Sequence, residues 1–141
     1  MWGKLMRLKN YYNINDKYSV IDIIEDYQMS FSMGNAFKYL HRCNTVCPKG
    51  EIDNDLIKAL SYLNREKTRW HLPAMPPSIP IHEIISPDKY NSHILKAIVS
   101  LLEIYWLDFD DVDSYERVSE LFNESINNIE IYVKGHQVSG L

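Results

Sequence analysis

Between residues 19 and 43 apolar side chains return every three or four positions, the spacing that gathers them on one face of an α-helix. In "SVIDIIEDY" Val20, Ile23 and Ile24 make such a stripe, with Ser19 at the N-cap and Asp22 three residues on to return the cap. That pattern predicts a first helix running through Tyr27. A second is expected from Ser32 or Met33 to about Cys43, with Ala36, Leu40 and Cys43 turned inward, and Pro48 and Gly50 break the pattern after it. A third, capped by Asp53, runs through "NDLIKALSYLNREKTRW" with Leu56, Ala59, Leu60 and Leu63 as its buried face. It should be the longest of the three and should lie antiparallel to the second.

Residues 71–86, "HLPAMPPSIPIHEIIS", include four prolines, which removes donors and fixes φ, so an extended connector with little regular hydrogen bonding is expected. After it, Ser86 and Pro87 read as a cap and a proline at the first helical position. They would open a long fourth helix with Ile94, Ile98, Leu101, Leu102 and Tyr105 on one face, ended by "LDFDDVD". Asp113 or Ser114 then caps a fifth helix carrying Val118, Leu121, Phe122, Ile129 and Val133, closed by Lys134 and Gly135. Only residues 5–9 have the composition of a short strand. The expectation is therefore an all-α fold, a compact bundle of about five helices. It divides into a helical region at 1–70, a Pro-rich connector at 71–86, and a C-terminal helical hairpin at 87–141 packed on the same domain.

Composition narrows the function classes. With 141 residues the chain can bury one sizeable core, and its 45% hydrophobic and 24% charged shares are ordinary for a globular domain. A formal charge of -4 argues against general duplex nucleic-acid binding, which draws its affinity from basic patches. No apolar run is long enough to span a membrane and "MWGKLMRLKN" lacks a signal-peptide core, so a cytoplasmic location without membrane association is expected. Cys43 and Cys47 would be reduced there, and "HRCNTVC" lacks the second ligand pair of a zinc site.

The second and third helices each carry polar residues along a second face. Asn35, Lys38 and Arg42 fall at i, i+3 and i+7; Asp55, Lys58, Tyr62 and Arg65 fall at i, i+3, i+7 and i+10. One reading is two solvated faces balanced by Asp55 and Glu66. The other is an anion site between the helices. In it Lys38, Arg42, Lys58 and Arg65 supply cations, Asn35 and Tyr62 neutral donors, and Gly34 a close backbone approach for a phosphate.

"GNAFKYLHR" followed by "DLIKALSYLNRE" resembles the paired signature of a family of small tailed-phage proteins described as nucleotide kinase-like, G-N-A-x-K-Y-x-x-R and then D-L-x-K-A-x-x-Y-L-x-R-E. Gly34, Asn35, Ala36, Lys38, Tyr39 and Arg42 match the first half; Asp55, Leu56, Lys58, Ala59, Tyr62, Leu63, Arg65 and Glu66 match the second. The resemblance covers about residues 11–67. It implies a phage protein of the infected bacterial host that binds a nucleotide or another phosphate-bearing small molecule between the second and third helices. Some relatives act as (deoxy)nucleoside monophosphate kinases, so that activity is one candidate here, although the chain has no G-x-x-x-x-G-K-[ST] loop. A kinase would need Mg²⁺ with ATP, for which Glu51, Asp53 and Asp55 are the nearby carboxylates; no cofactor is otherwise called for. The alternatives are a non-catalytic nucleotide-sequestering protein or anti-defence inhibitor of a host protein, and a structural homo-oligomer joined through Tyr105, Trp106, Tyr115 and Tyr132.

Overall fold

The protein is mostly helical in a computed structural model that describes residues 13–43, 52–86, 88 and 90–139, with side chains excepted at 52–53 and 136–139. The helices are α1 (Val20–Asp26), α2 (Phe31–Arg42), α3 (Ile52–Lys67), α4 (Ile81–Ile84), α5 (Ser92–Ile104) and α6 (Asp113–Ser139). The stretch at 5–9 lies outside the described residues.

Helix starts follow local hydrogen bonding. Ser19 and Asp22 form the expected capping box on α1. The α2 helix begins earlier than expected, because Ser30 rather than Ser32 turns its hydroxyl to a backbone donor, Met33 N, at 3.1 Å. The α3 helix also starts earlier, at Ile52, which places Asp53 inside its first turn rather than ahead of it. The largest shift is at α5. Asn91 caps it by accepting from His93 N at 2.9 Å, so the helix opens at Ser92 rather than at Ser86 and Pro87. At the far end α6 runs through Lys134 and Gly135 to Ser139 instead of stopping there. Glycine favours a helix stop through its access to positive φ but does not compel one, and among the described residues nothing beyond its own helix backbone and chain neighbours lies within 4 Å of where a Cβ on Gly135 would sit. The connector expected to be irregular contains the short α4.

The α2 and α3 helices pack antiparallel, and two polar contacts mark the ends of the pair. Ser30 Oγ donates to Glu66 Oε2 at 2.6 Å at one end, and Arg42 Nε meets Asp55 Oδ2 at 3.4 Å at the other. The α5 and α6 helices form the second pair, with α5 also against α2 and α6 against α3. One hydrophobic cluster joins all of them from Ile14 to Ile129. Leu40, Leu56 and Leu63 are fully buried as the periodicity predicts, whereas Leu60 is only partly buried at the edge of that cluster. Ile94, Ile98, Leu101, Leu102 and Tyr105 are all buried. Inside the α5–α6 pair Ser125 is fully buried and donates to the Ala97 carbonyl at 2.9 Å, which satisfies its hydroxyl within the apolar interface.

The connector is held down by the C-terminal end of α1. Asp26 accepts from Ser78 N at 2.9 Å, from Ser78 Oγ at 2.5 Å and from Ile79 N at 2.8 Å. Burial pushes the Asp26 carboxyl up, but those hydrogen bonds more than offset it and hold the group below its usual value. Tyr27, buried beside it, donates to the Ile79 carbonyl at 2.7 Å. Gln28 adopts a left-handed φ of 52° that turns the chain out of α1, and its side chain accepts from Met75 N at 3.2 Å.

Candidate functional site

The predicted site residues separate into two groups once α2 and α3 are packed. Arg42 and Asp55 belong to the first. The Asp55 side chain is 2% exposed and the Arg42 side chain 22%, so the guanidinium covers a carboxylate already withdrawn from water. Arg42 is thus engaged in joining the helices. Asn35 curls back on its own helix, donating to the Phe31 carbonyl at 2.8 Å. Gly34 is buried and its N–H bonds to the Ser30 carbonyl at 2.8 Å. A Cβ there would meet Ile24 Cγ2 at 3.3 Å, so this glycine lets α1 approach α2 and does not face the polar stripe.

The second group comprises Lys38, Lys58, Tyr62 and Arg65, together with two aromatics that charge patterning alone does not select. Tyr39 and Tyr62 stack across the helix pair with ring centroids 6.2 Å apart and planes 10° from parallel. Lys38 Nζ lies 4.5 Å from the Tyr39 ring centroid and Lys58 Nζ 5.2 Å from it. The two ammonium groups, one from each helix, therefore sit within about 10 Å of each other, where like charges in water repel weakly. Among the described residues neither lysine makes an ion pair, and neither does the exposed Arg65. Phe31 extends the platform by meeting Tyr62 edge to face at 6.0 Å, yet it is 78% exposed. The site is thus a cationic aromatic platform built on the Tyr39–Tyr62 stack.

Glu66, the other carboxylate of the signature, is buried, where it accepts from Ser30. Burial, reinforced by this carboxylate, pushes the neighbouring Tyr105 hydroxyl well above its usual range.

Sequence reasoning also passed over His41, which is 2% exposed at the end of α2. Its Nε2 lies 3.1 Å from the Asn13 carbonyl and its Nδ1 3.0 Å from the Tyr90 hydroxyl. A carbonyl can only accept, so Nε2 carries a proton, and in the neutral imidazole Nδ1 accepts from Tyr90. This imidazole ties the segment before α1 to the residue before the α5 cap. Burial first, and then the Cys43 thiol, push the Tyr90 hydroxyl up to about 12. Cys43 is buried with Sγ donating to the Leu40 carbonyl at 3.1 Å, and Cys47 lies outside the described residues. Among the described residues no group of three His, Cys, Asp or Glu side chains is placed to hold a metal ion, and no helix is long and apolar enough to cross a membrane.

Of the aromatics considered as oligomer contacts, Tyr105 is buried and Tyr132 half-buried, while Trp106 and Tyr115 are exposed. No protein-family profile, no curated protein and no solved structure matches this chain.

Proposed function

We propose that the α2–α3 face binds a nucleotide, with Lys38 and Lys58 holding its phosphate and Phe31 offering an open ring face to its base. The observation that carries this reading is the placing of two lysines, one from each helix, over a single tyrosine with no carboxylate partner among the described residues. Surface lysines on an acidic protein are ordinarily balanced by nearby carboxylates. Here the two carboxylates of the same stripes are buried elsewhere, Asp55 on Arg42 and Glu66 on Ser30. The anion that would complete the face is therefore external, and an exposed aromatic beside it suits a ligand that is both anionic and aromatic. The resemblance of these residues to phage nucleotide kinase-like proteins supports the same ligand class.

Binding without turnover is the form of this reading that we favour. Asp55, one of three carboxylates considered for Mg²⁺, is already committed to Arg42, and releasing it would strand a buried pair. Calorimetry with nucleoside mono- and triphosphates tests the proposal. Lys38→Ala and Lys58→Ala should each weaken binding by about 1.5–3 kcal/mol, the range of a hydrogen bond to a charged group. Phe31→Ser should cost about 1–3 kcal/mol for a nucleotide and nothing for inorganic triphosphate, because only the former brings a base to stack. Absence of heat with every nucleotide would overturn the reading. Formation of a nucleoside diphosphate from monophosphate, ATP and Mg²⁺ would replace it with the kinase.

A further inference from the structure

The α4 and α5 helices, with the residues that flank them, line an open cleft of about 430 Å³. Ile81 and Ile85, from α4 and its C-cap, Val99 of α5 and Trp106 line it, and Glu103 and His82 are its ionisable groups. The Trp106 side chain is oriented in an unusual way for a surface indole. Its polar atom points inward, with Nε1 donating to the buried Tyr27 hydroxyl at 2.9 Å, while the residue remains 43% exposed. Tyr27 in turn donates to the Ile79 carbonyl and meets the indole edge to face at 6.3 Å. The indole is therefore locked from behind with apolar ring surface left to the cleft. Burial pushes the Tyr27 hydroxyl up to about 12, so the anchor keeps its proton at neutral pH.

Glu103 precedes Trp106 by three residues and so lies on the same side of the chain. Among the described residues its carboxylate makes no ion pair and takes no side-chain hydrogen bond. His82 is the basic side chain of the same cleft and makes no ion pair among the described residues, while Lys96 and Arg117 line a neighbouring cleft that shares Glu103 and Val99. Arg117 is already held by Glu120 at 2.9 Å and Glu124 at 3.0 Å, and Lys96 makes no ion pair among the described residues. A carboxylate beside a fixed indole, above an aliphatic floor, is the combination that selects an ammonium group carried on an apolar body. The alternative anionic ligand would meet Glu103 at close range, and a neutral apolar one would leave that carboxylate partly dehydrated without a partner.

We propose that this cleft is a binding site for a small primary amine with an aromatic or aliphatic body, the ammonium held by Glu103 and the body lying against Trp106, Val99, Ile81 and Ile85. The site is separate from the α2–α3 platform and does not depend on nucleotide binding there. Three probes of similar shape test it: phenethylamine, 2-phenylethanol and phenylacetate, titrated into the full chain while the indole N–H resonance of Trp106 is followed by NMR. The resonance should shift saturably with phenethylamine, which should bind about fivefold to tenfold more tightly than 2-phenylethanol, with phenylacetate the weakest. Glu103→Gln, a surface change that leaves Trp106 in place, should bring amine and alcohol within about twofold of each other. Equal affinity of the parent protein for amine and alcohol would overturn the proposal. So would an amine preference that survives Glu103→Gln, or a Trp106 resonance that does not respond to phenethylamine.

Discussion

Arg42→Ala separates a structural role from a ligand role at the residue where the two readings of the polar stripe meet. The Asp55 carboxylate is 2% exposed and lies 3.4 Å from Arg42 Nε. Removing one partner of a fully buried ion pair costs about 3–5 kcal/mol, because the remaining charge keeps its desolvation penalty and loses its compensation. The Arg42 side chain still reaches water at 22% exposure, which lets solvent enter the truncated site, so a loss of about 2–3 kcal/mol is expected. For a chain of this length that corresponds to a fall in Tm of roughly 6–12 °C. The assay is urea unfolding of the parent, Arg42→Ala, Asp55→Ala and the double variant. A coupling of about 1.5 kcal/mol or more between the two sites is expected, since the contact between the two side chains can be lost only once. Nucleotide affinity of Arg42→Ala, measured well below its Tm, should stay within about twofold of the parent, unlike that of Lys58→Ala. A change in stability below about 0.5 kcal/mol together with a tenfold loss of nucleotide affinity would refute the reasoning and return Arg42 to the binding face.

Leu63→Ala should cost about 2–5 kcal/mol because the side chain is fully buried, and the partly buried Leu60 should cost less than about 2 kcal/mol; equal losses in urea unfolding would reverse the facing of α3. Tyr27→Phe removes the donor to Ile79 and the acceptor for Trp106, so a loss of about 1–3 kcal/mol and faster proteolysis within residues 71–80 are expected; an unchanged cleavage rate would count against the docking of the connector by Tyr27. Tyr27 and Tyr90 have hydroxyls pushed up to about 12 from an ordinary value of 10.0, so the folded chain holds protons that the unfolded chain releases. Their contribution to stability is full below pH 10.0 and is lost as the pH rises toward about 12. A urea midpoint that stays level between those pH values would contradict their burial.

Within a few residues of chain, the sequence by itself determined the helical character, the Ser19–Asp22 capping box and the inward faces of α2, α5 and α6. Those features rest on periodicity and on side chains bonding their own backbone, which depend only on neighbours up to about four positions away. Where two local signals competed, as between Ser30 and Ser32 or between Ser86 and Asn91, composition could not rank them. Gly135 shows the same limit, because glycine permits a helix stop and equally permits the continuation that α6 makes to Ser139. What the polar residues do was decided only by tertiary structure. Arg42 and Lys58 look alike in a charge pattern, but folding places a buried carboxylate beside one and a tyrosine ring beside the other. Asp26 and Tyr27 read as the unremarkable end of a helix until the chain returns Ser78 and Ile79 to them, and His41 until it meets Tyr90 and Asn13. The physical reason is that a polar side chain takes its role from the partner that replaces water when it is buried, and that partner lies tens of residues away along the chain.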